Sequence, residues 1–206
     1  MKKLTAIGAV VCGMFASTAF AQDQALEAKA SFVFNGEQIK ISRDTETAPQ
    51  HAATFAGISN TCGAPCIVPM EVAGGVPTFG ETEVLSFLVN EVANSSGLLV
   101  DARMPNDRAK GFIPGSVNLP FATLDAGTTF TSDIFTALGA RAQDGAFDFA
   151  DAQSLLVYDT GPSSDDAGRL VKNLLAAGYP AEKIKYYRGG MQVWAVLGFS
   201  IEGAGS

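Results

Sequence analysis

The stretch Leu155-Leu156-Val157-Tyr158-Asp159-Thr160-Gly161-Pro162-Ser163-Ser164 decides the fold. Four apolar residues in a row suit a strand buried on both faces, as strands of a parallel sheet are. Gly161 and Pro162 then end the strand. Ser163 or Ser164 is placed to cap a helix, with Asp165 and Asp166 in its first turn. Ala167, Leu170, Val171, Leu174 and Leu175 form the apolar face of that helix, and Gly178 falls just past its end. Strand, tight loop and helix start together point a ring of backbone N–H groups at one spot, the geometry that cradles an anion.

Working outward, residues 184–187 read as the last strand, and Gly189-Gly190 turns into a helix carrying Trp194. Upstream, Thr78 and Glu81 have the spacing of a capping box, which predicts a helix over 78–94 with Val84, Leu85, Leu88 and Val92 inward. Leu98-Leu99-Val100 is a second buried strand and Val117-Asn118-Leu119 a third, while 122–153 reads as short helix and loop. Strands alternating with helices predict an α/β domain of three layers around a mainly parallel central sheet. Ahead of it, Ser31-Phe32-Val33-Phe34 and Glu37-Gln38-Ile39-Lys40-Ile41 alternate apolar and polar around Asn35-Gly36, a β-hairpin with a type I′ turn. Residues 44–50 read as loop, and 51–77 hold Cys62 and Cys66 with no clear period. The expected division is 1–21, a leader; 22–77, an extension lying against the main domain; and 78–206, the domain itself. The Phe-rich region after residue 120 (Phe121, Phe130, Phe135, Phe147, Phe149) reads as core packing rather than a partner surface.

Lys2 and Lys3, an apolar run over 4–15 and Ala19-Phe20-Ala21 have the three parts of a secretory signal, with cleavage expected after Ala21. The run is too short for a bilayer span, and Ala9-Val10-Val11 fits a lipid-attachment motif at Cys12 poorly. Removing the leader leaves 185 of 206 residues, takes Lys2 and Lys3 away so that the net charge of −7 becomes −9, and leaves Cys62 and Cys66 as the two cysteines. The mature chain is therefore expected to be periplasmic or secreted, with no membrane span. An acidic chain without a basic run is a poor partner for nucleic acid. One His and two Cys make a poor metal set, so no metal and no cofactor are expected. A protein partner stays open.

Three blocks carry a family resemblance. Leu99-Val100-Asp101-Ala102-Arg103 followed by Gly111-Phe112-Ile113-Pro114-Gly115-Ser116, the strand and loop around Asp159, and Tyr187-Arg188-Gly189-Gly190-Met191-Gln192-Val193-Trp194 resemble, in order and spacing, the rhodanese (thiosulfate sulfurtransferase-like) family. The Cys pair ahead of the domain resembles an exported subgroup. The resemblance implies a rhodanese fold over about 78–202, an active loop at Asp159, Thr160, Gly161, Pro162, Ser163 and Ser164, and a catalytic Cys where this chain has Asp159. Phe112 stands where the family often has His.

Sulfur transfer needs a thiolate that holds sulfane sulfur as a persulfide. A carboxylate oxygen cannot do this, and Asp159, Asp165 and Asp166 repel an anionic donor. The expectation is a rhodanese-like domain inactive at its usual loop, acting as a binding or structural module. Asp159 has a plainer role open to it, accepting the N–H groups of its own loop. A nucleophile, hydrolase or cation site built from Asp159 with Asp101, Asp165 or Asp166 is the weaker reading. Asp101 and Arg103 read as a structural ion pair. Cys62 and Cys66 are either a structural disulfide or a redox or sulfur-transfer pair.

Overall fold

The computed structural model describes residues 28–57, 66–125, 131–143 and 146–203. The leader, residues 22–27, Cys62 and Phe130 lie outside them.

Strands β1 (Ala30–Phe34) and β2 (Glu37–Ile41) form an antiparallel hairpin, with Asn35 at φ 50° and Gly36 at φ 83° in its turn. Both residues take the left-handed conformation that this tight turn demands. Helix α1 (Ala48–Phe55) follows. It replaces the loop expected over 44–50, because Pro49 sits in its first turn, where a missing N–H costs nothing.

The main sheet has five parallel strands: β3 (Thr78–Phe79), β4 (Gly97–Asp101), β5 (Ser116–Asn118), β8 (Ser154–Tyr158) and β9 (Ile184–Tyr187). Their spatial order is β3-β9-β8-β4-β5, which centres the strand that ends at Asp159. Helix α2 (Glu81–Phe87), continued by a π-helical turn over Leu88–Val92, starts later than the sequence suggests. Thr78 is drawn into the sheet edge beside Tyr186, and the cap forms instead where Gly80 N–H donates to Glu83 at 3.0 Å. The short α3 (Pro105–Arg108) and a 3-10 turn over Phe121–Leu124 come next in the chain, on either side of β5. Between α4 (Thr131–Ala137) and β8 the chain makes a second hairpin, β6 (Arg141–Gln143) and β7 (Ala146–Asp148), where helix and loop were expected. Its strands are too short and exposed to show a period. Helices α5 (Asp166–Ala176) and α6 (Gly190–Val196) complete the fold.

Alternation along the strands divides two cores, one on each face. Leu99, Leu156, Tyr158 and Tyr187 join Val84, Leu85, Leu88 and Trp194 in one. Val100, Leu155, Val157 and Tyr186 join Leu170, Val171 and Leu174 in the other, with Phe135 and Phe149 edge-on at 5.4 Å. The first core also takes Phe32, Ile39, Ile41 and Phe55 from the chain ahead of the sheet. That segment is therefore part of the packed body, stitched to its far end where Ser200 N–H donates to the Ser42 carbonyl at 2.9 Å.

At the carboxyl end of β4, Asp101 is fully buried and meets Arg103 at 2.6 Å and Arg108 at 3.1 Å. Arg103 also donates to the Gly111 carbonyl at 2.8 Å, so one guanidinium ties the strand to the chain entering β5. Burial alone would lower its pKa; the bonds to Asp101 outweigh this and raise it. Tyr158 donates to the same carboxylate at 3.2 Å. Arg103→Met leaves a buried carboxylate half-paired and is expected to cost about 3 kcal/mol. Urea unfolding measures this, and a loss below about 1 kcal/mol would show the pair to be dispensable.

Candidate functional site

The site lies at the carboxyl end of β8, the central strand, where open α/β sheets place ligands. Asp159 has no exposed surface. Its Oδ1 accepts the Gly161 N–H at 2.8 Å and its Oδ2 accepts the Ala167 N–H at 2.9 Å. The first bond closes a tight turn; the second satisfies an amide in the first turn of α5. The carboxylate thus reaches eight residues along the chain to cap the helix. Neither Ser163 nor Ser164 does so: Ser164 Oγ accepts the Asp166 N–H only at 3.4 Å, and Asp165, the residue before the helix, makes no side-chain cap bond.

Two glycines let the loop close on its neighbour. Gly161 has φ 133°, and a Cβ there would lie 2.7 Å from the Gly189 carbonyl oxygen. Gly190 has φ 54°, and a Cβ there would lie 2.6 Å from the Gly161 nitrogen. Neither position has room for a side chain. With both bare, Met191 N–H donates to the Asp159 carbonyl at 3.1 Å and Gln192 N–H to that of Thr160 at 2.8 Å.

Burial pushes the Asp159 carboxyl up to about 7, against the pull of its two N–H donors; nearby Asp166 pushes the same way. Asp166 is itself buried, as are Ser163 and Ser164.

The segment ahead of the sheet covers this loop. Val68 N–H donates to the Pro162 carbonyl at 2.9 Å, and Arg188 grips the Val68 carbonyl with two N–H groups at 2.8 and 3.0 Å. Gln192 Nε2 donates to the Phe55 carbonyl at 3.0 Å and to Ser163 Oγ at 2.7 Å. Cys66 is disulfide-bonded and is the only cysteine among the described residues. Its Sγ, which carries no proton in a disulfide, touches the Ser163 carbonyl oxygen at 2.8 Å.

Of the residues singled out in the sequence, Asp159 to Ser164 and Cys66 come together here. Asp101 belongs instead to the ion-pair network, and Phe112 supports Arg108, whose guanidinium lies 3.7 Å from its ring centre. Arg188, Gln192 and Val68 were not anticipated. Arg188 and Gln192 flank the Gly-Gly pair, but nothing in their spacing tells which backbone they grip. Among the described residues, no cluster of three or more His, Cys, Asp or Glu could hold a metal ion. Nor is any described helix long and apolar enough to cross a membrane.

A model of the rhodanese-like domain matches residues 86–196, more than half of the chain. The chain belongs to the rhodanese-like domain family. The matched rhodanese-like region runs from within α2 to the end of α6 and takes in the whole loop. Solved structures similar to this rhodanese-like chain include the human single-domain sulfurtransferase TSTD1, at 23% identity over 58% of this chain and 95% of that one, TM-score 0.41. A rhodanese-related protein from Thermoplasma volcanium is 16% identical over 62% and 98%, TM-score 0.41. Thiosulfate sulfurtransferase from Pseudomonas aeruginosa is 19% identical over 78% and 24%, TM-score 0.45. No curated protein matches the sequence.

The position of Asp159 gives its titration a measurable sign. Below about pH 4 the carboxyl is neutral in both folded and unfolded chains. As pH rises towards 7 the unfolded chain ionises first, so this residue's contribution to stability is lost across that window. The wild-type unfolding free energy should fall between pH 4 and pH 7 by on the order of 4 kcal/mol more than that of Asp159→Asn. Parallel pH profiles of the two proteins would contradict it.

Proposed function

We propose that this is an exported rhodanese-like protein without sulfurtransferase activity at its loop, acting as a binding or structural module. The observation that carries the reading is the Asp159 carboxylate. It stands where the resemblance puts the family's sulfur-carrying Cys, and it occupies the Gly161 and Ala167 N–H groups itself. An anionic donor would have to displace a group held inside the protein, at a loop that also carries Asp165 and Asp166. No thiol replaces the missing one within the loop. The leader read in the sequence supports export, and in an oxidising compartment Cys66 pairs with Cys62, its one remaining partner after cleavage.

A second reading puts redox or sulfur-transfer chemistry on Cys62 and Cys66. Its support is the place of Cys66 against the loop. Against it stands the Ser163 carbonyl oxygen: a thiolate at Cys66 would face that partial negative charge and the acidic loop, which disfavours the nucleophilic form. A cation or hydrolytic site at Asp159 has less support, since both carboxylate oxygens are engaged by N–H donors.

Thiosulfate-to-cyanide transfer by the mature protein, oxidised or reduced, should stay at the level without protein. Cys62→Ser and Cys66→Ser should leave that result unchanged. Clear turnover abolished by either substitution would establish the second reading and overturn the first. Asp159→Cys should create at most slow transfer, because Asp165 and Asp166 remain.

A further inference from the structure

Residues 66–68 lie across the loop, yet little apolar burial holds them there. Ile67 is 69% exposed, Met70 is 63% exposed, and Pro69 between them is exposed too. What fastens the segment is polar and covalent: the Val68 N–H on the Pro162 carbonyl, the Arg188 fork on the Val68 carbonyl, and the disulfide at Cys66, whose sulfur rests on the Ser163 carbonyl. Hydrogen bonds at a solvated segment are readily exchanged for bonds to water. A disulfide restricts the chain whatever the solvent does. The covalent tie is therefore the restraint whose loss would free the segment.

We propose that the disulfide at Cys66 is a redox latch that keeps this segment over the 159–166 loop and that a dithiol opens it. The proposal concerns regulation of the loop treated above and rests on that reading only for the loop's importance. In the opening step a thiolate of the reductant attacks one sulfur of the disulfide, forming a mixed disulfide, and the other cysteine leaves as a thiolate and takes a proton. The reductant's second thiol then attacks the mixed disulfide and frees the remaining cysteine. The protein disulfide gains two electrons and two protons; the dithiol loses both and becomes a disulfide. The exposure of residues 67, 69 and 70 leaves the latch within reach of such a reductant.

Native-state amide exchange on the full chain tests this, with and without dithiothreitol and with thiol titration to count free cysteines. On reduction the Val68 amide should exchange at least tenfold faster, while the Leu156 and Val157 amides of the central strand keep their rates. Cys66→Ala without reductant should behave like the reduced wild type. Three results would overturn the latch: an unchanged Val68 rate on full reduction, a Val68 rate that rises only together with those of Leu156 and Val157, or free thiols in the untreated protein. None of these bears on the sulfurtransferase assay, so failure of the latch and failure of the proposed function are separable.

Discussion

A carboxylate with no exposed surface holds two backbone amides, those of Gly161 and Ala167, and the shape of the site follows from that arrangement. A buried N–H without a partner is costly, and so is a buried carboxylate. Each is the remedy for the other here. The loop cannot relax away from Asp159 without stranding the Gly161 amide and uncapping α5. Asp159 cannot leave without exposing the amides. Desolvation still exceeds what the two bonds return, which is why its carboxyl titrates near neutrality rather than in the usual carboxylate range.

Around that centre the packing is ordered by the sheet. Parallel strands buried on both faces send alternate side chains to two separate cores, so β8 contributes Leu156 and Tyr158 to one and Leu155 and Val157 to the other. The N-terminal hairpin and α1 belong to the first core through Phe32, Ile41 and Phe55. This has a consequence for the site. A chain that is packed on one face at residue 55 and pinned at residue 68 by Arg188 and the Pro162 carbonyl meets the loop at both points. Gln192 joins the two by bonding both the Phe55 carbonyl and the Ser163 hydroxyl. The loop is covered by the protein's own chain, and the disulfide sulfur at Cys66 is part of the cover.

Much of this was legible from local pattern. Runs such as Leu155 to Tyr158 and Ile184 to Tyr187 announce buried strands, and Asn35-Gly36 announces its turn because few residues tolerate the conformation needed there. The misreadings share one cause, a competing partner distant in sequence. Thr78 has the spacing of a cap but is claimed by the sheet edge. Ser163 and Ser164 have the chemistry of caps but lose the helix start to Asp159. The β6–β7 hairpin is too short and too exposed for alternation to mark it.

The sequence by itself determined the α/β architecture, the central place of the Asp159 strand and the absence of a thiol from the loop, because these depend on residue type and near-neighbour spacing. Only the tertiary structure decided what the Asp159 carboxylate bonds, that Gly190 must be bare for Gly161 to approach, and that Val68 and Cys66 lie on Pro162 and Ser163. Those contacts join residues up to about a hundred positions apart. They follow from how the two faces of one sheet pack, a property of the whole chain that no local window contains.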